Sequence, residues 1–162
     1  MSKIKVADFY YGAVLSMLFN SKVNPALVES DENRQIYDLT TNDGSCRLYI
    51  KYRANKIKNL TENYNSWQFV FAPTELDDIK KYIDNGFNLS LALVCGMEGL
   101  SDSEIAVLNK SEVEELLNLE KLSITISRKK NERAYRISIG GGRNSAMKIK
   151  ANQFEEIFMA QI

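Results

Sequence analysis

Apolar residues follow two different periods along this chain, and the period predicts the element. In the first twenty residues they recur every three or four positions, which is typical of an amphipathic helix. From residue 34 onwards several segments alternate apolar and polar residues, as strands with one wet face do. The segment Leu89 to Cys95 is almost entirely apolar, which is typical of a central strand covered on both faces. The helical stripe contains Phe9, Val14, Met17 and Leu18, which we expect to be buried.

The order of elements follows from these periods and from the residues that end them. Helices are predicted at 6–20, from the cap Thr74 to Asn85-Gly86, at 112–119 behind the cap Ser111, and after Asn152. Asn42-Asp43-Gly44 favours a hairpin turn, and the polar stretch 54–66 favours a long loop. Strands are predicted at 34–40, 46–53, 67–71, 89–95, 104–108, 122–126, 135–139 and 146–150.

This order predicts an α+β fold with a mixed, mainly antiparallel sheet that three or four helices cover. The 162 residues suit one domain over 1–162, since a second hydrophobic core would be cramped. Hydrophobic residues make up 44% and charged residues 26%, as in ordinary soluble globular proteins. No internal repeat or linker divides the sequence.

The sequence has the features of a cytoplasmic protein. Its longest uninterrupted apolar run, Leu91 to Cys95, is far too short to cross a bilayer, and the N-terminus lacks the apolar region of a signal peptide. Cys46 and Cys95 do not form a disulfide framework, so reduced thiols are expected. We therefore expect no contact with a membrane.

The absence of histidine excludes whole classes of mechanism. Ser-His-Asp and Cys-His catalysis need an imidazole, and two cysteines without histidine cannot close a zinc site. A bound metal would have to be a hard cation held by oxygen atoms. We expect no catalytic residue, no metal ligand and no cofactor, which indicates a non-catalytic protein.

Charge is zero overall but strongly segregated. Residues 74–120 carry eleven acidic residues against three lysines, whereas residues 121–150 carry nine basic residues against Glu132. A neutral protein can bind a polyanion through a local basic patch, because the field near a surface follows the local charge. Pairing between acidic helices and basic strands inside the protein explains the segregation equally well.

The strand 46–53 has the most informative pattern. Basic and aromatic residues occupy its odd positions and apolar residues its even positions, so one face is predicted to be basic. That face is either a solvated edge or an anion-binding surface. Trp67 could stack on bases or pack in the core, and Gly140-Gly141-Gly142 is better explained as a turn than as a phosphate loop. The candidate ligand-binding residues are Arg47, Tyr49, Lys51, Arg53, Trp67, Arg128, Arg143 and Lys148.

Asp38 on the first hairpin strand and Lys51 on the second, within this order of elements, resemble the PD-(D/E)XK nuclease core. That family holds magnesium through a leading Asp and an acid two residues before the Lys. Asp38 and Lys51 match the Asp and the Lys, but Tyr49 stands where the second acid belongs. The resemblance implies a magnesium-dependent nuclease whose two-carboxylate site is incomplete.

The segments Ile50-Lys51-Tyr52, Trp67 to Phe71 and Leu93-Val94-Cys95-Gly96 together resemble small uncharacterised bacterial and phage-associated proteins. This resemblance implies a shared fold and brings no established activity. The leading hypothesis from the sequence is a non-catalytic protein of mobile-element origin that binds nucleic acid or another phosphate-rich ligand. The alternative is a protein-interaction module, such as an inhibitor or regulatory subunit, that uses its acidic helices; the nuclease is a third hypothesis.

Overall fold

A computed structural model describes residues 1–41, 44–58 and 63–159, and for Arg143 it describes the backbone alone. In this part of the chain the α-helices are α1 (Val6–Asn20), α2 (Pro73–Asp84) and α3 (Lys110–Asn118), and a π-helical turn covers Glu155–Met159. The strands are β1 (Ala26–Ser30), β2 (Gln35–Thr41), β3 (Gly44–Arg53), β4 (Tyr64–Val70), β5 (Leu89–Cys95), β6 (Glu104–Leu108), β7 (Ser123–Lys129), β8 (Ala134–Ile137) and β9 (Met147–Lys150).

The strands form two sheets. The central sheet has the order β1-β2-β3-β5-β6, in which β3 and β5 are parallel and the other pairs antiparallel. The C-terminal sheet is antiparallel with the order β4-β7-β8-β9. The predicted α+β class is confirmed. The prediction of one sheet is wrong, because β4 pairs along its whole length with β7 and not with β3.

Both faces of the central sheet are covered. One face packs against α1 and the C-terminal Phe154 and Phe158, and the other packs against α2, α3 and the inner face of the C-terminal sheet. Leu91, Leu93 and Phe154 are buried, as the sequence predicted. A strand with helices or strands on both faces needs a nearly continuous apolar sequence, which explains the composition of β5.

The helix α1 turns a narrower face to the core than its sequence predicted. Val14 and Leu18 are buried with Tyr10 and Tyr11, and Met17 is partly buried. The prediction for Phe9 is wrong, since 47% of its surface is exposed. The face of α1 that packs on the sheet is centred on the two tyrosines, and Phe9 lies outside this face.

Three boundaries differ from the predicted ones. The helix α2 is capped at Ala72, with Glu75 accepting a hydrogen bond from the Ala72 amide, so Thr74 is not the cap. Asn109 and not Ser111 caps α3, in a reciprocal pair with Glu112. The predicted loop 54–66 is shorter, because β4 begins at Tyr64.

Two sequence predictions lie outside the described residues. They are the Asn42-Asp43 turn and the middle of the loop, residues 59–62. Within the described ranges, no helix is long and apolar enough to cross a membrane.

Candidate nucleic-acid interface

The basic row of β3 is not the open surface that its sequence predicted. Arg47, Tyr49 and Lys51 do point to one side of the strand, toward α2. Tyr49 is fully buried and only 5% of Lys51 is exposed. The prediction of an exposed basic face is therefore wrong for the centre of this strand. The reason is that β3 has a neighbouring strand on each side and a helix above it, whereas the alternation was equally compatible with a wet face.

An acidic helix neutralises Lys51. Its ammonium group lies 2.7 Å from Oε2 of Glu75 on α2 and 5.0 Å from the ring centroid of Phe71. The hydroxyl of Tyr49 donates to the same carboxylate oxygen, at 3.0 Å. Burial raises the pKa of Tyr49, and the negative charge of Glu75 raises it further, so the phenol stays a neutral donor.

Arg34 extends this charged cluster and was not identified from the sequence. It precedes β2 at the point opposite Lys51 and pairs with Glu29, Asp31 and Asp78. Arg34 is 6% exposed, and its Nε has no hydrogen-bond partner among the described residues. The segregation of acids into α2 was the available signal, since it indicated pairing between acidic helices and basic strands.

Arg47, like Lys51, is paired with a carboxylate, although its side chain lies nearer the surface. Its guanidinium donates to both carboxylate oxygens of Asp38, at 2.8 and 3.0 Å. It also stacks on the rings of Phe87 and Tyr82, at 3.9 and 4.7 Å from their centroids. The hydrogen bonds that Arg47 donates to Asp38 raise the pKa of Arg47. The guanidinium of Arg47 is therefore occupied by contacts within the protein and is not available to a ligand.

Trp67 belongs to the core, which decides between the two interpretations of its sequence position. It is fully buried, and its indole N–H donates to the carbonyl oxygen of Gly96 at 2.8 Å. The Gly96 amide in turn donates a hydrogen bond to the backbone carbonyl oxygen of Arg53. A Cβ at Gly96 would lie 2.5 Å from the carbonyl oxygen of Ala54, so only glycine fits this junction. Base stacking on Trp67 is excluded by its burial.

Arg128 also points inward. It follows Ile124 and Ile126 on the core side of β7 and forms a bidentate pair with Glu104, at 2.6 and 3.1 Å. Tyr135 donates to the same carboxylate at 2.8 Å, and burial together with Glu104 raises the pKa of this tyrosine. The prediction that Arg128 contacts a ligand is thus not supported by its position.

The outer face of the C-terminal sheet is different. A polar row runs across all four of its strands in the order Ser66, Ser127, Arg136 and Lys148. Lys129, Lys148 and Lys150 are exposed on this side. None of the outward positions in β4, β7, β8 or β9 carries Asp or Glu.

A depression of about 270 Å³ lies in the same outer face. Hydroxyl groups, Arg136 and the backbone of Gly141 and Gly142 line it. Arg136 pairs with Glu132 at 3.0 Å, and Lys150 lies 3.5 Å from Glu156. Lys148, a candidate from the sequence, belongs to this face, and the side chain of Arg143 is outside the described atoms.

The elements of the nuclease site do not converge. Asp38 is directly opposite Arg47, four residues before Lys51, which is a separation of about 13 Å along a strand. Each charge has its own partner, Arg47 for Asp38 and Glu75 for Lys51. In the described part of the chain, no three His, Cys, Asp or Glu side chains are grouped so that they could hold a metal ion.

No protein-family model, curated protein or solved structure matches this chain. The two resemblances drawn from the sequence stay predictions.

Proposed function

We propose that the protein binds single-stranded nucleic acid through the outer face of its C-terminal sheet. The observation that carries the proposal is that this face holds Lys129, Lys148 and Lys150 with no acidic residue at any outward strand position. The proposal keeps the ligand expected from the sequence and moves its contact surface from β3 to the β7–β9 region.

The arrangement of charges on this face favours an anionic ligand. Arg136 and Lys148 are directly opposite each other on neighbouring strands. Like charges in that position destabilise a sheet, by up to about 1 kcal/mol per pair. Glu132 offsets the charge of Arg136, but in the described chain nothing is paired with Lys148. A bound phosphate would give Lys148 the negatively charged partner that the described chain does not supply.

The remaining side chains on the face favour contacts to the backbone of the nucleic acid. Serine and threonine hydroxyls and glycine amides are common partners of phosphate and sugar oxygens. Tyr64 is the one aromatic side chain at an outward position of these strands, so base stacking contributes little. Binding carried by this face alone should therefore depend strongly on salt and weakly on sequence.

The test is fluorescence anisotropy with labelled single-stranded oligonucleotides over a range of salt concentrations. The double variant Lys148→Gln/Lys150→Gln removes two phosphate contacts, which should lower the slope of log K against log salt by about 1.4. Its matched control is Lys3→Gln/Lys81→Gln, which removes the same charge from exposed lysines elsewhere, one before α1 and one on α2. Equal loss of binding in both variants would reduce the effect to net charge and refute the proposed face.

A second candidate function, recognition of a protein partner, is favoured by a groove between α2 and α3. The groove has a volume of about 520 Å³, with Leu76, Ile83 and Leu117 among its apolar residues. Its exposed acids include Asp84 and Glu114, which have no partner in the described chain. This chemistry suits a basic amphipathic helix.

A labelled helical peptide with lysines flanking a leucine stripe tests the second candidate. The peptide should bind the wild type and lose most of its affinity for Asp84→Asn/Glu114→Gln. Equal affinity for the two proteins would exclude the groove.

A further inference from the structure

A polar cleft of about 450 Å³ lies where β3 ends, between the turn that joins β1 to β2 and the edge strand β4. Its volume is within the range of about 300–1,000 Å³ that small-molecule sites occupy. Its polar walls include Glu32, Asn33, Arg53, Asn55 and Gln68.

Several groups in the cleft wall are not used by the fold. In the described chain, the Arg53 guanidinium, the Glu32 carboxylate and the Asn55 amide take part in no hydrogen bond or ion pair. All three side chains are exposed and therefore open to a ligand, whereas the arginines at 34, 47 and 128 are each paired with a carboxylate. The cleft therefore presents a free cation, a free anion and a free amide to one ligand.

The cleft is held in shape by the charged cluster beneath it. Lys51 closes its inner wall, fixed by Glu75 at 2.7 Å, and donates to the Asn33 carbonyl oxygen at 3.4 Å. That contact ties the β1–β2 turn to β3, so that Glu32 and Arg53 belong to the same cavity. This support fixes the backbone of the cleft, so that on binding a ligand only the exposed side chains, such as Arg53 and Glu32, lose freedom.

The charges in the cleft define the ligand. Lys51 is neutralised by Glu75, which leaves one positive group, Arg53, and one negative group, Glu32. A guanidinium suits a phosphate, and a carboxylate accepts hydrogen bonds from an amino group of a base. A nucleotide whose base carries an exocyclic amino group satisfies both, whereas a simple phosphate or sulfate satisfies only one.

The cleft also borders the proposed nucleic-acid face. Gln68 lines the cleft and is directly opposite Thr125, which lines the depression on the outer face. A nucleic-acid strand that crosses the sheet from β9 to β4 therefore reaches the cleft. Proteins that bind single-stranded nucleic acid recognise unstacked bases, and a base at the end of such a strand could enter the cleft.

We infer that this cleft takes one nucleotide unit, with Arg53 on its phosphate and Glu32 on the amino group of a cytosine or another amino-bearing base. The inference that a bound nucleic-acid strand ends in this cleft rests on the proposed function. The inference that the cleft binds a free mononucleotide does not rest on it.

Cytidine and uridine monophosphate form a matched pair of probes, because their bases differ in whether an amino group or a carbonyl occupies one ring position. By isothermal titration calorimetry, the wild type should bind the cytidine nucleotide about tenfold more tightly than the uridine nucleotide. Glu32→Gln should remove this preference, because the glutamine amide can donate as well as accept. Arg53→Gln should weaken both nucleotides alike. Glu115→Gln, an exposed acid on α3, is the matched control and should leave the preference intact.

Oligocytidine and oligouridine, measured by anisotropy on the same variants, separate this inference from the proposed function. Binding of mononucleotides without binding of either oligomer would support the cleft and refute the nucleic-acid face. Equal binding of both oligomers, with no binding of either mononucleotide, would overturn the cleft and leave the face standing. An unchanged cytidine preference in Glu32→Gln would also overturn the inference.

Discussion

The buried ion pair between Lys51 and Glu75 should dominate the effect of charge substitutions on stability. Only 6% of the lysine side chain and 9% of the glutamate side chain are exposed, so solvent screens the pair weakly. Lys51→Met leaves the carboxylate buried with Tyr49 and the Ala72 amide as its remaining partners. Removing one member of such a pair costs about 3–5 kcal/mol.

The double variant Lys51→Met/Glu75→Leu should be more stable than the sum of its single variants implies. It removes both buried charges and leaves side chains of similar volume, which is often neutral for the pair itself. It also removes the contact of Glu75 with the Ala72 amide at the start of α2, which costs about 1 kcal/mol. The buried Tyr49 hydroxyl loses its acceptor as well, which costs about 1–3 kcal/mol. We therefore expect a loss of about 2–4 kcal/mol and a coupling energy of several kcal/mol between the two sites.

Urea denaturation followed by tryptophan fluorescence measures these effects, because Trp67 is the single tryptophan and is fully buried. The matched control is the exposed pair Lys150 and Glu156, which are 3.5 Å apart with 68% and 46% of their side chains exposed. Its coupling energy should stay below about 0.5 kcal/mol. Losses below about 0.5 kcal/mol for both core single variants, or simple additivity in the core pair, would refute the buried pair.

Four further predictions follow from the structure. Leu93→Ala should destabilise the protein by about 2–5 kcal/mol in the same assay, because Leu93 is fully buried in β5; a loss below about 0.5 kcal/mol would place it at the surface. Burial raises the pKa of Tyr11, Tyr49 and Tyr135 in the folded protein. The stability that these tyrosines contribute is therefore complete below their pKa of about 10 in the unfolded chain. At higher pH the free energy of unfolding falls by up to about 1.4 kcal/mol per pH unit for each tyrosine. The phenolate absorbance of these three tyrosines, out of eight in the chain, should therefore appear only with cooperative unfolding, and titration of all eight without unfolding would contradict this. Burial also raises the pKa of the thiols of Cys46 and Cys95, so a thiol reagent should react with both only after unfolding. With magnesium or manganese present, we expect no cleavage of DNA or RNA; cleavage lost in Asp38→Ala would revive the nuclease hypothesis.

The sequence predicted the elements well because their signals are local. The helical period located α1, the apolar run located β5, and alternation located β7 and β8. Cap positions were less accurate. The N-cap of α2 is Ala72, which has no capping side chain, and Asn109 caps α3 two residues before Ser111, where either residue type is a good cap. Pairing was not predictable from these signals, because the alternation of β4 suits β3 and β7 equally.

The candidate site was predicted in part. Lys148 lies on the outer face, but Lys51 and Arg128 are each bound to a carboxylate from a distant part of the sequence, and Arg47 is bound to Asp38 on the neighbouring hairpin strand. A basic residue on a strand has the same local pattern whether its face meets solvent or an acidic helix. Glu75 and Glu104, which decide between these cases, are 24 residues away from their partners.

By itself, the sequence determined what the chain can form: its helices and strands, the apolar central strand, the absence of imidazole chemistry and the segregation of charge. These properties depend on residue type and on spacing within a few positions. Only the tertiary structure decided which charges remain available to a ligand. That outcome depends on how far each charge is removed from water, and burial is set by the packing of two sheets and three helices whose contacts join residues far apart in the chain.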